Sequence, residues 1–336
     1  MRRLFFLLLL VPLSLNAQPM LERMNKQRHF KNEIPPGNYS GITYLGDSLY
    51  AVVSDKSPQD GFFLFRLHID LMTGQLYRAE NLGFHESGES GRDAEGIAFF
   101  PSQNTLLICG EKDNRVLEYT LDGQYTGRQV SLPPVFSKAR SNYGLESITC
   151  CGEDGTFWIT TEASLRPDGS IATPVNHVEN RLRLLMVDSL LQPKAQYAYL
   201  MDAPQARRKA AIYAMGVSEV LAMPDGHLLV LEREVYVPKK KVGAFAHCKL
   251  YAVNPSEGES LDNQSVLGDG SPYLPKQLLC EWRTRLTLLG RKFANYEGMC
   301  LGPRLQDGSY AIVLISDSQN QYHGVLRDWF KTLVVR

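Results

Sequence analysis

A hairpin motif repeats along this chain, and its clearest copy, residues 93–111, reads DAEGIAFFPSQNTLLICGE. Apolar residues alternate after Glu95, turn-forming residues follow, and a second apolar run ends at Glu111. Short apolar runs on either side of a turn are typical of an antiparallel β-hairpin. This stretch therefore predicts two antiparallel strands with an acidic residue at the start of the first and at the end of the second.

Four further copies share the pattern of a small residue, apolar alternation, a turn and an apolar run, and they span residues 41–55, 144–162, 216–233 and 295–317. Each has a Gly-Asp or Asp-Gly pair at its turn. Such pairs tolerate the positive φ angles that tight hairpins need. A third apolar run usually follows the hairpin, and a fourth is often visible.

Regular repetition of antiparallel strands predicts an all-β fold, a β-propeller with five clear four-stranded blades. A sixth blade is possible, because the later copies are more widely spaced. A β-sandwich or barrel is the competing all-β fold, but it does not repeat one unit at this period. The segment before Pro35 is expected to supply a ring-closing strand, and residues 204–215 are the best candidate for a short helix.

The N-terminus predicts export from the cell. Arg2 and Arg3 precede an apolar run at residues 4–13, and small and polar residues lead to a cleavage position after Ala17. The run is shorter than the roughly 20 residues of a membrane-spanning helix, although a membrane anchor is the alternative. We predict a signal peptide (1–17), an N-terminal segment (18–34) and a propeller domain (35–336), periplasmic or secreted, with no membrane span in the mature chain.

Composition argues against several function classes. Lysine plus arginine and aspartate plus glutamate number 36 each, whereas a general nucleic-acid binder needs a basic excess. The chain has no G-x-S-x-G sequence, so a serine nucleophile elbow is not supported. Its six cysteines form no C-x-x-C pair, which disfavours zinc and iron–sulfur sites. Cys248 with Cys280 is the one candidate disulfide, and the oligomeric state stays open.

Acidic residues are expected to gather at one mouth of the propeller tunnel. The first strand of a blade lines the tunnel and the second runs antiparallel to it, so the first strand's start and the second strand's end lie side by side. The strand-start acids are Glu95, Glu146, Glu219 and Glu297, and the strand-end acids are Asp55, Glu111, Glu162, Glu232 and Asp317. The first blade has Ser40 and Gly41 instead of a strand-start acid, so the ring is asymmetric.

This crowding of negative charge predicts a compensating cation. Like charges a few ångströms apart repel by about 1 kcal/mol per pair in water and by more where water is excluded. Calcium, which prefers oxygen ligands, is the candidate cofactor. Its candidate ligands are the strand-end acids Asp55, Glu111, Glu162, Glu232 and Asp317. Three alternatives stay open: neutralisation by nearby arginine and lysine, retained protons on some carboxyls, and acids that only fasten neighbouring blades.

Five short motifs in order resemble a known family, the phytase-like domain, also called "esterase-like activity of phytase". They are RDAEGIA (92–98), NYGLESI (142–148), LVLER (229–233), NYEGM (295–299) and LISD (314–317). The similarity covers the chain from about Pro35 to the C-terminus. It implies an exported propeller and a hydrolase that acts on phosphate esters or other esters.

The resemblance also implies a site, formed by the motif residues Glu95, Glu146, Glu232, Arg233, Glu297 and Asp317. One of Glu95, Glu146 and Glu297 would serve as general base, and Arg233 would stabilise developing negative charge. Residues within or beside the motifs are candidate substrate-binding residues, namely Arg92, Lys112, Asn142 and Asn295. The alternative is a non-catalytic propeller of the cell envelope that binds a ligand or partner at the same mouth.

Overall fold

The computed structural model describes residues 18–152, 155–262, 266–287, 290–322 and 326–336. The predicted signal peptide, residues 1–17, lies outside these ranges. Within them, no helix has the length and apolar character needed to cross a bilayer.

Strands account for nearly all regular structure in these ranges. In chain order they are β1 (Leu21–Met24), β2 (Arg28–His29), β3 (Tyr39–Gly46), β4 (Leu49–Ser54), β5 (Gln59–Ile69), β6 (Leu76–Ser90), β7 (Ala94–Phe100), β8 (Thr105–Gly110), β9 (Arg115–Thr120), β10 (Tyr125–Gln129), β11 (Leu145–Cys151), β12 (Thr156–Thr161), β13 (Arg181–Val187), β14 (Pro193–Leu200), β15 (Ile212–Ala222), β16 (Leu228–Val237), β17 (Phe245–Val253), β18 (Lys276–Arg285), β19 (Asn295–Arg304), β20 (Tyr310–Asp317) and β21 (Trp329–Val335). Three short 3₁₀ turns complete the list, at Pro134–Lys138, Arg166–Asp168 and Pro255–Glu257.

These strands form five antiparallel blades, which confirms the predicted all-β propeller. Blade 1 is β3–β6, blade 2 is β7–β10, blade 3 is β11–β14, blade 4 is β15–β18, and blade 5 is β19–β21 with β1 and β2. No sixth blade occurs in the part of the chain that the structure describes. The wide spacing of the later repeats comes instead from long connections, between β12 and β13 in blade 3 and between β17 and β18 in blade 4.

Blade 5 combines strands from both ends of the described chain. β1 and β2 each pair antiparallel with β21, and Met20 and Arg336 exchange backbone hydrogen bonds of 2.9 and 3.0 Å beyond the end of that ladder. Because backbone hydrogen bonds join the two ends, the ring is closed by a ladder and not by side-chain packing alone.

Neighbouring inner strands, β3, β7, β11, β15 and β19, contact one another in a closed ring around the tunnel. Glycines occupy the positions where neighbouring inner strands approach each other most closely. A Cβ atom at Gly41 would lie 2.4 Å from the carbonyl oxygen of Glu95, and one at Gly96 would lie 2.8 Å from the backbone nitrogen of Ile148. A side chain there would collide with backbone of the next blade, so these two interfaces require glycine.

We expect Gly96→Ala to destabilise the protein by about 1–3 kcal/mol, because the added methyl group meets backbone that cannot move independently. Urea unfolding followed by far-ultraviolet circular dichroism measures the change. Gly270→Ala is the matched control, since a Cβ at Gly270 has no neighbour within 4 Å. Equal unfolding midpoints for the two variants would contradict the close-approach argument.

Two local predictions are wrong. Residues 204–211 form no helix, and residues 212–215 belong to β15, where Ile212 pairs with Val237 of β16. Pairing with a neighbouring strand outweighs the basic, helix-like composition of this stretch. Cys248 and Cys280 are free thiols; on the adjacent strands β17 and β18, Cys248 stands opposite Trp282 and Cys280 opposite Leu250.

Candidate functional site

Each inner strand has a β-bulge near its start, at one mouth of the tunnel. The pairing register shifts at Ser40, Glu146, Ser218 and Glu297, and in blade 2 the shift spans Glu95 and Gly96. A bulge interrupts the ladder and redirects the side chain of the extra residue. The bulges thus present glutamates from blades 2, 3 and 5 and serines from blades 1 and 4 at the same level of the tunnel.

A second ring of residues follows the ends of the second strands. The backbone nitrogens of Asp55, Glu111 and Glu162 donate to the carbonyl oxygens of the residues just before β3, β7 and β11, at 2.8, 2.8 and 3.0 Å. In blade 4 the equivalent place is held by Arg233, which pairs with Gly216, and in blade 5 by Asp317, which pairs with Asn295. This ring therefore contains four acids and one arginine, and its member from blade 4 is Arg233, not Glu232.

Arg233 connects the acids of blades 3 and 5. Its Nη2 donates to Oε1 of Glu162 at 2.6 Å and lies 3.9 Å from Oε1 of Glu146, and its Nη1 lies 3.3 Å from Oε1 of Glu297. Nη1 also donates to Oδ1 of Asn295 at 3.2 Å, and Asn295 in turn donates to Glu297 at 2.7 Å. With only 4% of Arg233 exposed, this cluster is held together by a buried guanidinium.

Lys56 supplies a second cation, toward blades 1, 2 and 5. Its ammonium group donates to Asp55. Although burial opposes the charged form, the hydrogen bond from this ammonium to Asp55 and the charges of Asp55, Glu95 and Asp317 raise the pKa of Lys56. Its backbone adopts a left-handed φ of 53°. Lys56 is not among the site residues predicted from the sequence, although it directly follows the strand-end acid Asp55.

Burial and mutual repulsion favour protonation of the mouth acids. Burial, with the charges of neighbouring acids, raises the pKa values of Glu95 and Glu146 well above the ordinary range. Burial and the charge of Asp317 raise the pKa of Glu297 to about 8, even though Arg233 acts in the opposite direction. A carboxyl with a pKa near 8 can exchange a proton at neutral pH, which is the property required of a general acid or base.

Glu219 lies one layer deeper than the three bulge glutamates. It accepts hydrogen bonds from the hydroxyl of Ser147 and from the backbone nitrogens of Val220, at 3.1 Å, and Met299, at 3.5 Å. It follows the bulge residue Ser218 and so occupies the level held by glycine in blades 1, 2 and 5. Glu219 therefore fastens blades 3, 4 and 5 and does not face the mouth acids.

Glu232 belongs to a separate polar cluster between blades 3 and 4. Its carboxylate accepts hydrogen bonds from Tyr199 Oη and Lys276 Nζ, both at 2.7 Å, and from the backbone nitrogen of Asp202 at 3.2 Å. Consecutive residues of a strand point to opposite faces, so Glu232 and Arg233 cannot share one site. The structure thus separates this predicted metal ligand from the other acids.

The four predicted substrate-binding residues are in different surroundings. Asn295 lies among the mouth residues, as described above. Lys112 and Asn142 line a depression of about 300 Å³ next to Glu111. Arg92 is engaged elsewhere, because its guanidinium donates to Asp113 at 2.7 and 3.0 Å and to the hydroxyl of Tyr119 at 3.0 Å.

Solved structures with similar architecture are distant relatives at most. An endo-arabinase from Bacteroides thetaiotaomicron shares 9% identity over 90% of this chain and 94% of its own, with a TM-score of 0.46. A streptogramin B lyase shares 12% identity over 93% and 98% of the two chains, with a TM-score of 0.39. Values this low support no statement about activity.

No curated protein matches the chain. A family model does: the phytase-like model, described as esterase-like activity of phytase, matches residues 34–319. The match covers the strands from β3 to β20 and so includes all five bulges and both rings of the mouth. The chain therefore belongs to the phytase-like family, as its motifs predicted.

Proposed function

We propose that this protein is an exported hydrolase that acts on a phosphate ester or another ester at the acidic mouth of its tunnel. Family membership favours this class of reaction. The observation that carries the proposal is the buried pair of Glu146 and Glu297 beside Arg233, in which Glu297 has a pKa of about 8. Acid–base catalysis needs a group with a pKa near the working pH, and burial and neighbouring charges shift pKa values in this way at many catalytic sites.

The proposed roles follow from these contacts. Glu297 is the preferred general base, because a pKa near the working pH gives both a useful fraction of the basic form and a strong enough base. Glu146 lies 3.9 Å from Arg233 Nη2, farther than Glu162 at 2.6 Å or Glu297 at 3.3 Å, so its carboxylate is the least tightly held of the three that surround the arginine. Arg233 would offset negative charge that develops on the ester.

Calcium is proposed as a cofactor held by Asp55, Glu111 and Asp317. These three side chains fit calcium, because calcium prefers carboxylate oxygens as ligands. Burial raises the pKa of each acid, as expected where negative charge is not fully compensated. In the described ranges no three potential ligands already stand close enough to hold a metal, so these side chains would have to draw together. Bound calcium would supply Lewis-acid polarisation of the ester.

The substrate itself would contact side chains at the rim. Lys112 and Asn142 line the depression next to Glu111, and they offer an ammonium group and an amide for the polar part of an ester. Asn295 is already hydrogen-bonded to Arg233 and Glu297, so it orients those two groups. Arg92 is left out of the proposed site because Asp113 and Tyr119 hold its guanidinium.

The test is hydrolysis of p-nitrophenyl acetate and p-nitrophenyl phosphate, with calcium and with a chelator. We expect the chelator to abolish activity, calcium to restore it, and the double variant Glu146→Gln/Glu297→Gln to lose about 100-fold in kcat/KM. Glu89→Gln, an exposed position on the outer strand β6, is the matched control. Activity that survives the double variant unchanged would overturn the proposal.

A non-catalytic binding propeller is the second candidate, and one observation favours it. The guanidinium of Arg233 is engaged by Glu162, Glu297 and Asn295, which leaves little of it for a substrate. In that case calcium would raise the melting temperature without any turnover of either ester. A calcium-dependent thermal shift combined with hydrolysis would instead support the enzyme.

A further inference from the structure

The opposite mouth of the tunnel contains a cavity of about 320 Å³ whose wall is built by all five blades. The far ends of the five inner strands supply its lining, with Ile42, Phe99, Ile148, Leu221, Met299 and Leu301 as its main apolar members. None of the residues that line it carries a charge. Its volume lies at the lower end of the range of small-molecule sites, about 300–1,000 Å³.

A tightly packed layer separates this cavity from the acidic mouth. On one side of the tunnel, Gly41, Gly96 and Gly298 bring neighbouring inner strands into backbone contact. On the other side, Glu219 fills the gap and accepts a 3.5 Å hydrogen bond from the backbone nitrogen of Met299, a lining residue. The two ends of the tunnel therefore offer different chemistry, charged at one mouth and apolar at the other.

Two hydroxyl groups in the cavity wall have protons to donate. Thr43 Oγ1 accepts from the backbone nitrogen of Phe99 at 3.1 Å, and Thr149 Oγ1 accepts from that of Ala222 at 3.2 Å. Neither hydroxyl donates to any residue that the structure describes. Each threonine lines the cavity, so its hydroxyl proton is available to a hydrogen-bond acceptor there.

A third hydroxyl lies just behind the wall. The phenol oxygen of Tyr50 is buried and has no hydrogen-bond partner among the described residues. It is 3.2 Å from the position that a Cβ of Gly302 would take, and its ring packs against Tyr44 at a centroid distance of 4.9 Å. Gly302 and Tyr44 both line the cavity. An unpartnered buried hydroxyl is costly, but this one lies behind the wall and outside the cavity lining, so the proposed hydrogen bonds come from the two threonines.

We infer that this cavity is a second binding site, for an uncharged small molecule that has an apolar ring or short chain and a carbonyl-type oxygen. The apolar lining accommodates the hydrophobic part, and the hydroxyl of either Thr43 or Thr149 donates to the oxygen. The absence of charged lining residues disfavours ionised ligands, because burying an unpaired charge is strongly unfavourable. The site is independent of the ester hydrolysis proposed for the acidic mouth.

Isothermal titration calorimetry with 4-bromoacetophenone tests the inference on the intact protein. We expect saturable one-to-one binding, and binding of bromobenzene that is weaker by about 2- to 10-fold because it lacks the carbonyl acceptor. Leu301→Trp, which fills the cavity, should weaken binding of 4-bromoacetophenone at least tenfold. Leu190→Trp is the matched control, because Leu190 is 72% exposed and lies outside the cavity lining.

The bromine atom gives a readout that does not depend on any variant. In a crystal of the unmodified protein soaked in 4-bromoacetophenone, anomalous scattering should place bromine among the far-mouth residues. Loss of binding in Leu301→Trp alone, or bromine at this mouth, supports the site. Undetectable binding by the unmodified protein, equal binding by the two tryptophan variants, or bromine only at other positions would overturn it.

Discussion

Replacing Arg233 by methionine is expected to destabilise the protein by about 3–5 kcal/mol. The methionine keeps much of the apolar volume but leaves the carboxylate of Glu162 without the guanidinium that donates to it at 2.6 Å. Breaking a buried ion pair by removing one partner is costly because it leaves an uncompensated charge in a poorly solvated place. Urea unfolding at pH 7, followed by circular dichroism, measures the loss.

Two further variants separate this effect from a loss of packing. Adding Glu162→Gln to Arg233→Met should recover part of the stability, since it removes the carboxylate that the arginine holds most closely. Arg115→Met, at an exposed arginine that bonds Gln129, should change stability by no more than about 0.5 kcal/mol. A loss of less than about 1 kcal/mol in Arg233→Met would mean that the acids are neutralised by protons and not by the arginine.

The propeller could be predicted from the sequence because its evidence is local and repeated. Each hairpin has its own turn residues and its own apolar runs, and five copies of one unit leave few alternative folds. The sequence also predicted that acids gather at one mouth. In each blade the first two strands are antiparallel, so the start of the first lies beside the end of the second. Both inferences need only strand order and direction.

The exact residues at the mouth depend on bulges, which the sequence does not reveal. One extra residue in a strand changes which side chains face the tunnel. In blade 4 the glutamate follows the bulge residue and so points to the deeper layer, as Glu219 does. The same one-residue offset puts Arg233, and not Glu232, into the strand-end ring. The similarity to the family motif indicated that Glu232 and Arg233 belong near the site, but it could not show which of the two side chains lies at the mouth.

The apolar far mouth escaped prediction for a different reason. Its lining residues, such as Ile97, Ile148 and Met299, read as ordinary core positions of amphipathic strands. Only the convergence of five inner strands shows that these positions surround a cavity. A site assembled from one or two residues per blade leaves no motif in any single stretch of sequence.

The stability of the chelator-treated protein should fall as the pH rises from 5 to 8. The folded state raises the pKa of Glu297 from an ordinary value near 4.5 to about 8, and those of Glu95 and Glu146 are also raised. Below pH 4.5 these carboxyls are protonated in both the folded and the unfolded state, so they do not reduce the free energy of unfolding. Above that pH the unfolded chain releases its protons first. Each such group then lowers the free energy of unfolding by about 1.4 kcal/mol per pH unit, until the pH passes the pKa of the group in the folded state.

Urea unfolding of the protein at pH 5, 6, 7 and 8 in the presence of a chelator tests this dependence. Glu297→Gln should make the decline less steep, because glutamine does not titrate and the unfolded chain then has no proton to release at this position. Glu89→Gln, on the exposed outer strand, should leave the slope of the parent protein unchanged. The direction of the change in stability distinguishes the two cases. Salt-bridged acids with lowered pKa values would make the free energy of unfolding rise between pH 5 and pH 8. A rising curve would therefore show that the mouth carboxylates are fully paired, and Glu297 could not then serve as a general base poised near neutral pH.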